Sequence, residues 1–154
     1  MTDLRPVLGD FHSIVCFKSV IAGIEDTLGP DGAAVVFTHA GKLRGQRIAH
    51  DLGVANSPAT AADLTMLLDS VLGQDGSRIA GIHAVTWVDG RYVVDCFETV
   101  CSAGEPQGSD RKCTFVLGAV WGALEAITGQ ALQGEHTLSV LQGAPYDRLE
   151  FSPL

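Results

Sequence analysis

The sequence is short of positive charge. Ten Lys and Arg stand against eighteen Asp and Glu, for a net charge of −8. Phosphate binding needs a concentrated basic surface, so nucleic acid is not expected as a partner. The densest cationic stretch, "GKLRGQR" at 41–47, has only three cations and reads as one face of a helix. Long apolar runs are missing too, and with them the roughly 18 residues that a membrane span requires. The opening "MTDLRPVLGDFHSIV" has no basic region followed by an apolar core, so it does not read as an export signal. A cytoplasmic location with reduced thiols is therefore expected for the four cysteines.

Metal and nucleotide signatures are equally scarce. "CFETVC" spaces Cys96 and Cys101 as C-x4-C, and Cys113 has no close cysteine partner. The five histidines are scattered without a paired spacing, so no metal is expected from spacing. The nearest glycine cluster, "LGPDG", does not link a strand to a helix as a phosphate-binding loop would. Without repeats or a long linker, residues 1–154 read as one domain. At 46% hydrophobic and 18% charged residues, that domain can bury a core.

Periodicity divides the chain into elements. Asp10 is placed to cap a helix through Ile14, Phe17, Ile21 and Ile24, which should stop at Gly29, Pro30 and Gly32. "AAVVFTH" (33–39) reads as a short buried strand and 41–53 as a second helix. Thr60 caps a third helix, "AADLTMLLDSVLG". Two strand-like runs flank Asp89-Gly90, a favoured pair for a two-residue hairpin turn. A long helix from Arg111 ends at Gly129, and "HTLSVLQ" and "YDRLEF" close the chain as strands. The order α-β-α-α-β-β-α-β-β is α+β. It predicts an antiparallel sheet of four to five strands with helices packed mainly on one face.

With Asp89 and Gly90 as the whole turn, Val85 opposes Val94, Trp87 opposes Tyr92 and His83 opposes Cys96. Strand alternation then puts His83, Val85, Trp87, Val94, Cys96 and Glu98 on one face. That face suits a packed wall with an inert thiol, or a ligand pocket in which a few polar groups orient an apolar guest. The helix adds Gly118 and Gly122, four residues apart, which points to close approach by another segment or a ligand.

One hairpin strand reads "CFET". After a loop, "CTF" opens a helix containing "GAVWG" and "EAITG", followed by "GEH", a "QGAP" turn and a closing "LEF" strand. Over residues 79–153 this order resembles the 4-vinyl-reductase-like, hydrocarbon-binding domain family, whose fold is shared with small TRAPP vesicle-tethering subunits. The resemblance implies a homodimer enclosing an apolar pocket between sheet and helices. The guest would be a hydrophobic or tetrapyrrole-like molecule, with no certain cofactor. Its lining would be His83, Val85, Trp87, Val94, Cys96 and Glu98 from the sheet with Phe115, Trp121 and Leu124 from the helix.

One branch of that family holds zinc. Cys113 and Glu135 fall at two of its four ligand places, but Leu138 and Tyr146 at the others supply no ligand, so no metal is expected. The chain has neither a GxxxxGK[ST] loop nor a DNA-binding helix pair, so any signal would pass to a protein partner. A non-enzymatic binding or adaptor protein is the leading expectation. The alternatives are an auxiliary enzyme of (bacterio)chlorophyll or other pigment metabolism, and a dimeric scaffold of a larger, photosynthetic complex.

Overall fold

The computed structural model describes residues 5–7 and 13–154. It contains α1 (Ile14–Asp51), α2 (Ala61–Leu72), β1 (Gly81–Val88), β2 (Arg91–Phe97), α3 (Thr114–Thr128), β3 (Leu132–Leu138), a 3-10 turn at Val140–Gln142 and β4 (Asp147–Pro153). The strands form one antiparallel sheet in the order β1-β2-β4-β3. The α+β class therefore holds, with a four-stranded sheet and helices gathered on its apolar side. Among the described residues, no helix is long and apolar enough to cross a membrane.

The stretch 33–39 corrects the expected element order, because it is helical. Gly29 (φ 75°, ψ 165°) breaks α1, and Pro30 starts its second half where a missing N–H costs nothing. Beyond the break, Ala33, Phe37, Gly41, Gly45 and Ile48 are buried at helical spacing, while Val35 and Val36 face outward. A short apolar run carries no strand-specific period, and here the buried positions are four apart instead of two. Asp10, expected as the helix cap, lies outside the described residues; Ser13 precedes the first turn without a side-chain cap.

The second half of α1 runs parallel to α3 with the two backbones almost touching. A Cβ on Gly41 would lie 2.2 Å from the Phe115 carbonyl oxygen, and one on Gly45 2.1 Å from that of Ala119. In return, Cβ atoms on Gly118 and Gly122 would lie 2.1 and 2.2 Å from the carbonyls of Thr38 and Lys42. The α3 glycines thus serve helix packing, with no room left for a guest between them. Lys42 Nζ bridges the same pair, 2.9 Å from Glu125 and 4.3 Å from the centre of the Trp121 ring.

α3 lies against the inner sheet face, where Val85, Val94 and Leu149 align across three strands and Phe151 meets Trp121. The outer face is polar: Arg148 binds Asp95 through two hydrogen bonds and Arg91 pairs with Glu150. α2 follows the free edge of β1. There Thr65 Oγ1 and the Asp69 carboxylate accept the Val85 and Ile82 amides, both at 2.8 Å, satisfying donors that would otherwise invite another strand. Thr60 caps α2 as expected, and the cap is a full capping box in which Thr60 and Asp63 bond reciprocally.

Candidate functional site

The hairpin turns at Asp89-Gly90 as expected, both residues having positive φ, and its register holds from Val88–Arg91 to Ala84–Asp95. It then slips. A bulge at His83 gives Cys96 the partner Ile82, correcting the expected His83–Cys96 pair. His83 is exposed and stacks on Tyr146, with ring centres 4.4 Å apart.

The other expected lining residues divide in two. Val85, Val94, Cys96 and Leu124 are 0–4% exposed and belong to the closed core. Trp87 is 50% exposed near the hairpin tip, edge-on to Tyr92, and Glu98 is exposed beyond the end of β2. Phe115 is half-buried against Phe17. Trp121 is half-buried, and its indole N–H points to Glu125 and the Leu132 carbonyl. The seam between hairpin and α3 is thus filled by side chains.

Among the described residues, two cavities at the end of the sheet share Arg78 and Glu98. The smaller, about 370 Å³, is bounded by Asp69, Gly73, Gly81 and Phe97. The larger, about 710 Å³, is bounded by Ser13, Ile14, Ser77, Thr99, Ser102 and Ala103. Arg78 and Glu98 both hold left-handed backbone (φ 56° and 48°), a conformation that non-glycine side chains seldom adopt and that gathers at ligand sites. Glu98 is the expected site residue that borders these cavities; Arg78 carried no signal in the sequence.

Behind the larger cavity lies a buried polar network. Thr99 lines the cavity and donates its hydroxyl to Asp147 Oδ2 at 2.8 Å. Asp147 Oδ1 accepts from the Val140 amide at 3.1 Å and meets His136 Nε2 at 3.2 Å. The other ring nitrogen, Nδ1, accepts the Cys113 amide at 3.2 Å, which places the imidazole proton on Nε2, facing the carboxylate. Burial pushes the Asp147 carboxyl up, but the bonds from His136, Thr99 and Val140 outweigh it and hold the group below the usual carboxylate range.

Sequence reasoning missed this network, although one signal was available. In "YDRLEF", period-two alternation puts Asp147 on the same face as Leu149 and Phe151, which makes it an acid directed into the core.

Three thiols border the same region. Burial drives the Cys96 thiol up, with the charges of Asp147 and Asp95 acting in the same direction. The Cys113 side chain and the Val116, Thr114 and Phe115 amides lower the Cys101 thiol against the opposing effect of burial, while Cys101 and burial raise the Cys113 thiol. Glu135 is exposed opposite Glu150 on β4, Leu138 is also exposed, and Tyr146 stacks on His83. Among the described residues, no group of three or more His, Cys, Asp and Glu is arranged to hold a metal ion.

No family model matches the chain, and none of the curated proteins matches it. Solved structures do share its fold. The phenol-responsive sensory domain of the transcription activator PoxR, solved with phenol, superposes with a TM-score of 0.69 at 16% identity, covering 93% of this chain and 75% of that one. A trafficking protein particle complex subunit 3 from Naegleria fowleri, covalently bound to palmitic acid, gives a TM-score of 0.58 at 12% identity over 92% and 95%. The chain thus has a fold common to a sensory domain and a trafficking-complex subunit.

Proposed function

We propose that this chain is a non-enzymatic small-molecule-binding or adaptor protein that takes an apolar guest bearing one polar group. The observation that carries this reading is the 710 Å³ cavity, set in a fold that a phenol-bound sensory domain also uses. Its size lies within the roughly 300–1,000 Å³ range of ligand pockets. Ile14 and Ala103 offer apolar wall, while Glu98, Thr99 and Ser102 offer hydrogen-bonding groups. A guest in the seam between hairpin and α3 would have to displace Val94, Cys96 and Leu124, all fully buried. The open cavity beside that seam needs no such displacement, so the reading keeps Glu98 as the orienting group and moves the apolar wall to Ile14 and Ala103.

Native mass spectrometry and calorimetric titration with a panel of phenols and medium-chain carboxylic acids test the reading. At least one member should bind with a micromolar Kd. Ala103→Trp should abolish that binding by filling the cavity, and Glu98→Gln should weaken it about tenfold, equivalent to about 1.4 kcal/mol. A panel without any binder at millimolar concentration would refute the proposal.

A homodimer belongs to the same reading, because Val35, Val36 and Leu43 leave one side of α1 apolar and exposed. Light scattering should give the dimer mass, and Val36→Glu with Leu43→Glu should return the monomer.

A further inference from the structure

Several hydroxyls line the larger cavity, and most of their protons are already committed elsewhere. Thr99 is 0% exposed and gives its one hydroxyl proton to Asp147 Oδ2 at 2.8 Å. Its oxygen therefore meets Ser102 Oγ, also at 2.8 Å, as the acceptor, which makes Ser102 the donor of that contact. The alternative target for the Ser102 proton is the Thr99 carbonyl at 3.1 Å. In both cases the proton turns back into the 99–103 turn, leaving Ser102 Oγ only lone pairs to offer a guest. Ser77 likewise donates to the Val71 carbonyl at 3.1 Å. Ser13 makes no side-chain cap bond and can turn to either role, so it discriminates nothing.

The far end of this chain is fixed as an acceptor. Asp147 Oδ1 receives the Val140 amide and faces His136 Nε2, and the Cys113 amide sets which imidazole nitrogen carries the proton. Reversing the Thr99 hydroxyl would require a protonated Asp147, and the bonds that hold that carboxyl below its ordinary range oppose it. Charge points the same way. Among the described residues lining the two cavities, the carboxylates of Asp69 and Glu98 stand against the guanidinium of Arg78, whose Nε donates to the Gln74 carbonyl at 2.9 Å.

We propose that the larger cavity selects guests whose polar end donates hydrogen bonds without carrying negative charge, a phenol or a protonated amine, and rejects a carboxylate or ether of the same shape. This rests on the reading of the cavity as a ligand site and adds the chemistry that the site accepts. A donor satisfies the Glu98 carboxylate and the Ser102 oxygen together. A carboxylate sets its charge beside Glu98 and its lone pairs against those of Ser102, while an ether leaves both acceptors unpaired. Thr99 and Asp147 are positioning residues, holding the Ser102 proton away from the cavity.

Calorimetric titration of the full chain at neutral pH with four matched probes tests this: para-ethylphenol, para-ethylbenzylamine, para-ethylanisole and para-ethylbenzoate. The better of the two donors should bind at least about tenfold more tightly than the ether or the carboxylate. A lead for the amine assigns the selection chiefly to the Glu98 charge, and a lead for the phenol assigns it to the Ser102 oxygen. In Thr99→Val the Ser102 proton is released to turn outward, so para-ethylanisole should gain affinity while the donors lose it. A merely structural loss would weaken all four probes alike. An ether or carboxylate within tenfold of the better donor would overturn the proposal and leave the ligand site standing, as would four unbound probes beside a bound medium-chain acid. A Thr99→Val protein in which the ether gains nothing would overturn it too. If nothing binds, the proposal and the reading beneath it both fall. Should Thr99→Val not fold, the four wild-type affinities decide alone.

Discussion

Gly118→Ala will lower the stability of this protein by about 3 kcal/mol, the upper end of the usual cost of overpacking a core. A methyl group there would sit 2.1 Å from the Thr38 carbonyl oxygen and 3.0 Å from the Gly41 Cα. What it meets is backbone, which cannot rotate away as a side-chain tip would. The α1 and α3 helices must separate, and separation weakens the neighbouring contacts of Gly45 and Gly122 as well. For a chain of this size the midpoint of thermal unfolding should fall by roughly 10 °C. Gly45→Ala should behave alike. The double variant should cost less than the sum, because one displacement relieves both clashes.

Gly23→Ala is the control. Gly23 is exposed in the first half of α1, and a Cβ there would have nothing within 4 Å. Alanine there should stabilise by about 0.5–1 kcal/mol through helix propensity alone. Equal and small effects at Gly23 and Gly118 would show that the helices are not in backbone contact.

Asp147→Ala should cost about 4 kcal/mol at neutral pH. It removes one carboxylate and strands three buried donors, on His136, Thr99 and Val140, each expensive to leave unpaired. Asp147→Asn should cost less, since an amide oxygen still accepts one or two of those bonds, but its own N–H groups meet donors.

The pH dependence distinguishes lost charge from lost shape. The folded-state pKa of Asp147 is depressed below its ordinary value of 3.8. Its stabilisation is thus fully present above that value and is lost as the pH falls through the depressed folded-state pKa. Urea unfolding at a series of pH values should therefore show the gap between wild type and Asp147→Asn constant from pH 7 to about pH 5, then narrowing below about pH 4. A gap that widens on acidification would remove the buried carboxylate from the account.

Much of the architecture was legible before any coordinates. Thr60 marks the start of α2, Asp89-Gly90 marks the hairpin, and Gly129 ends α3 in left-handed conformation. These are local signals, because caps and turns depend on backbone geometry over a few residues. Gly118 and Gly122 were also readable as sites of close approach, though their partner was not. The same holds for "AAVVFTH": seven residues contain no decisive period, and only contact with α3 shows which of them are buried. The closing strands were displaced in the same way. β3 begins at Leu132 instead of His136, and "VLQ" forms a 3-10 turn.

Composition, periodicity and turn residues by themselves determined an acidic α+β domain with an apolar sheet face, a hairpin at Asp89-Gly90 and a glycine-marked long helix. Tertiary structure alone decided the rest. A one-residue bulge moved His83 away from Cys96, and packing filled the seam between hairpin and α3. Two open cavities formed instead beside Arg78 and Glu98, while Cys101, Cys113, His136 and Asp147 were drawn together from four separate parts of the chain. Local sequence records which face a side chain takes. It does not record which distant backbone will close against that face, and that closure separates a cavity from a core.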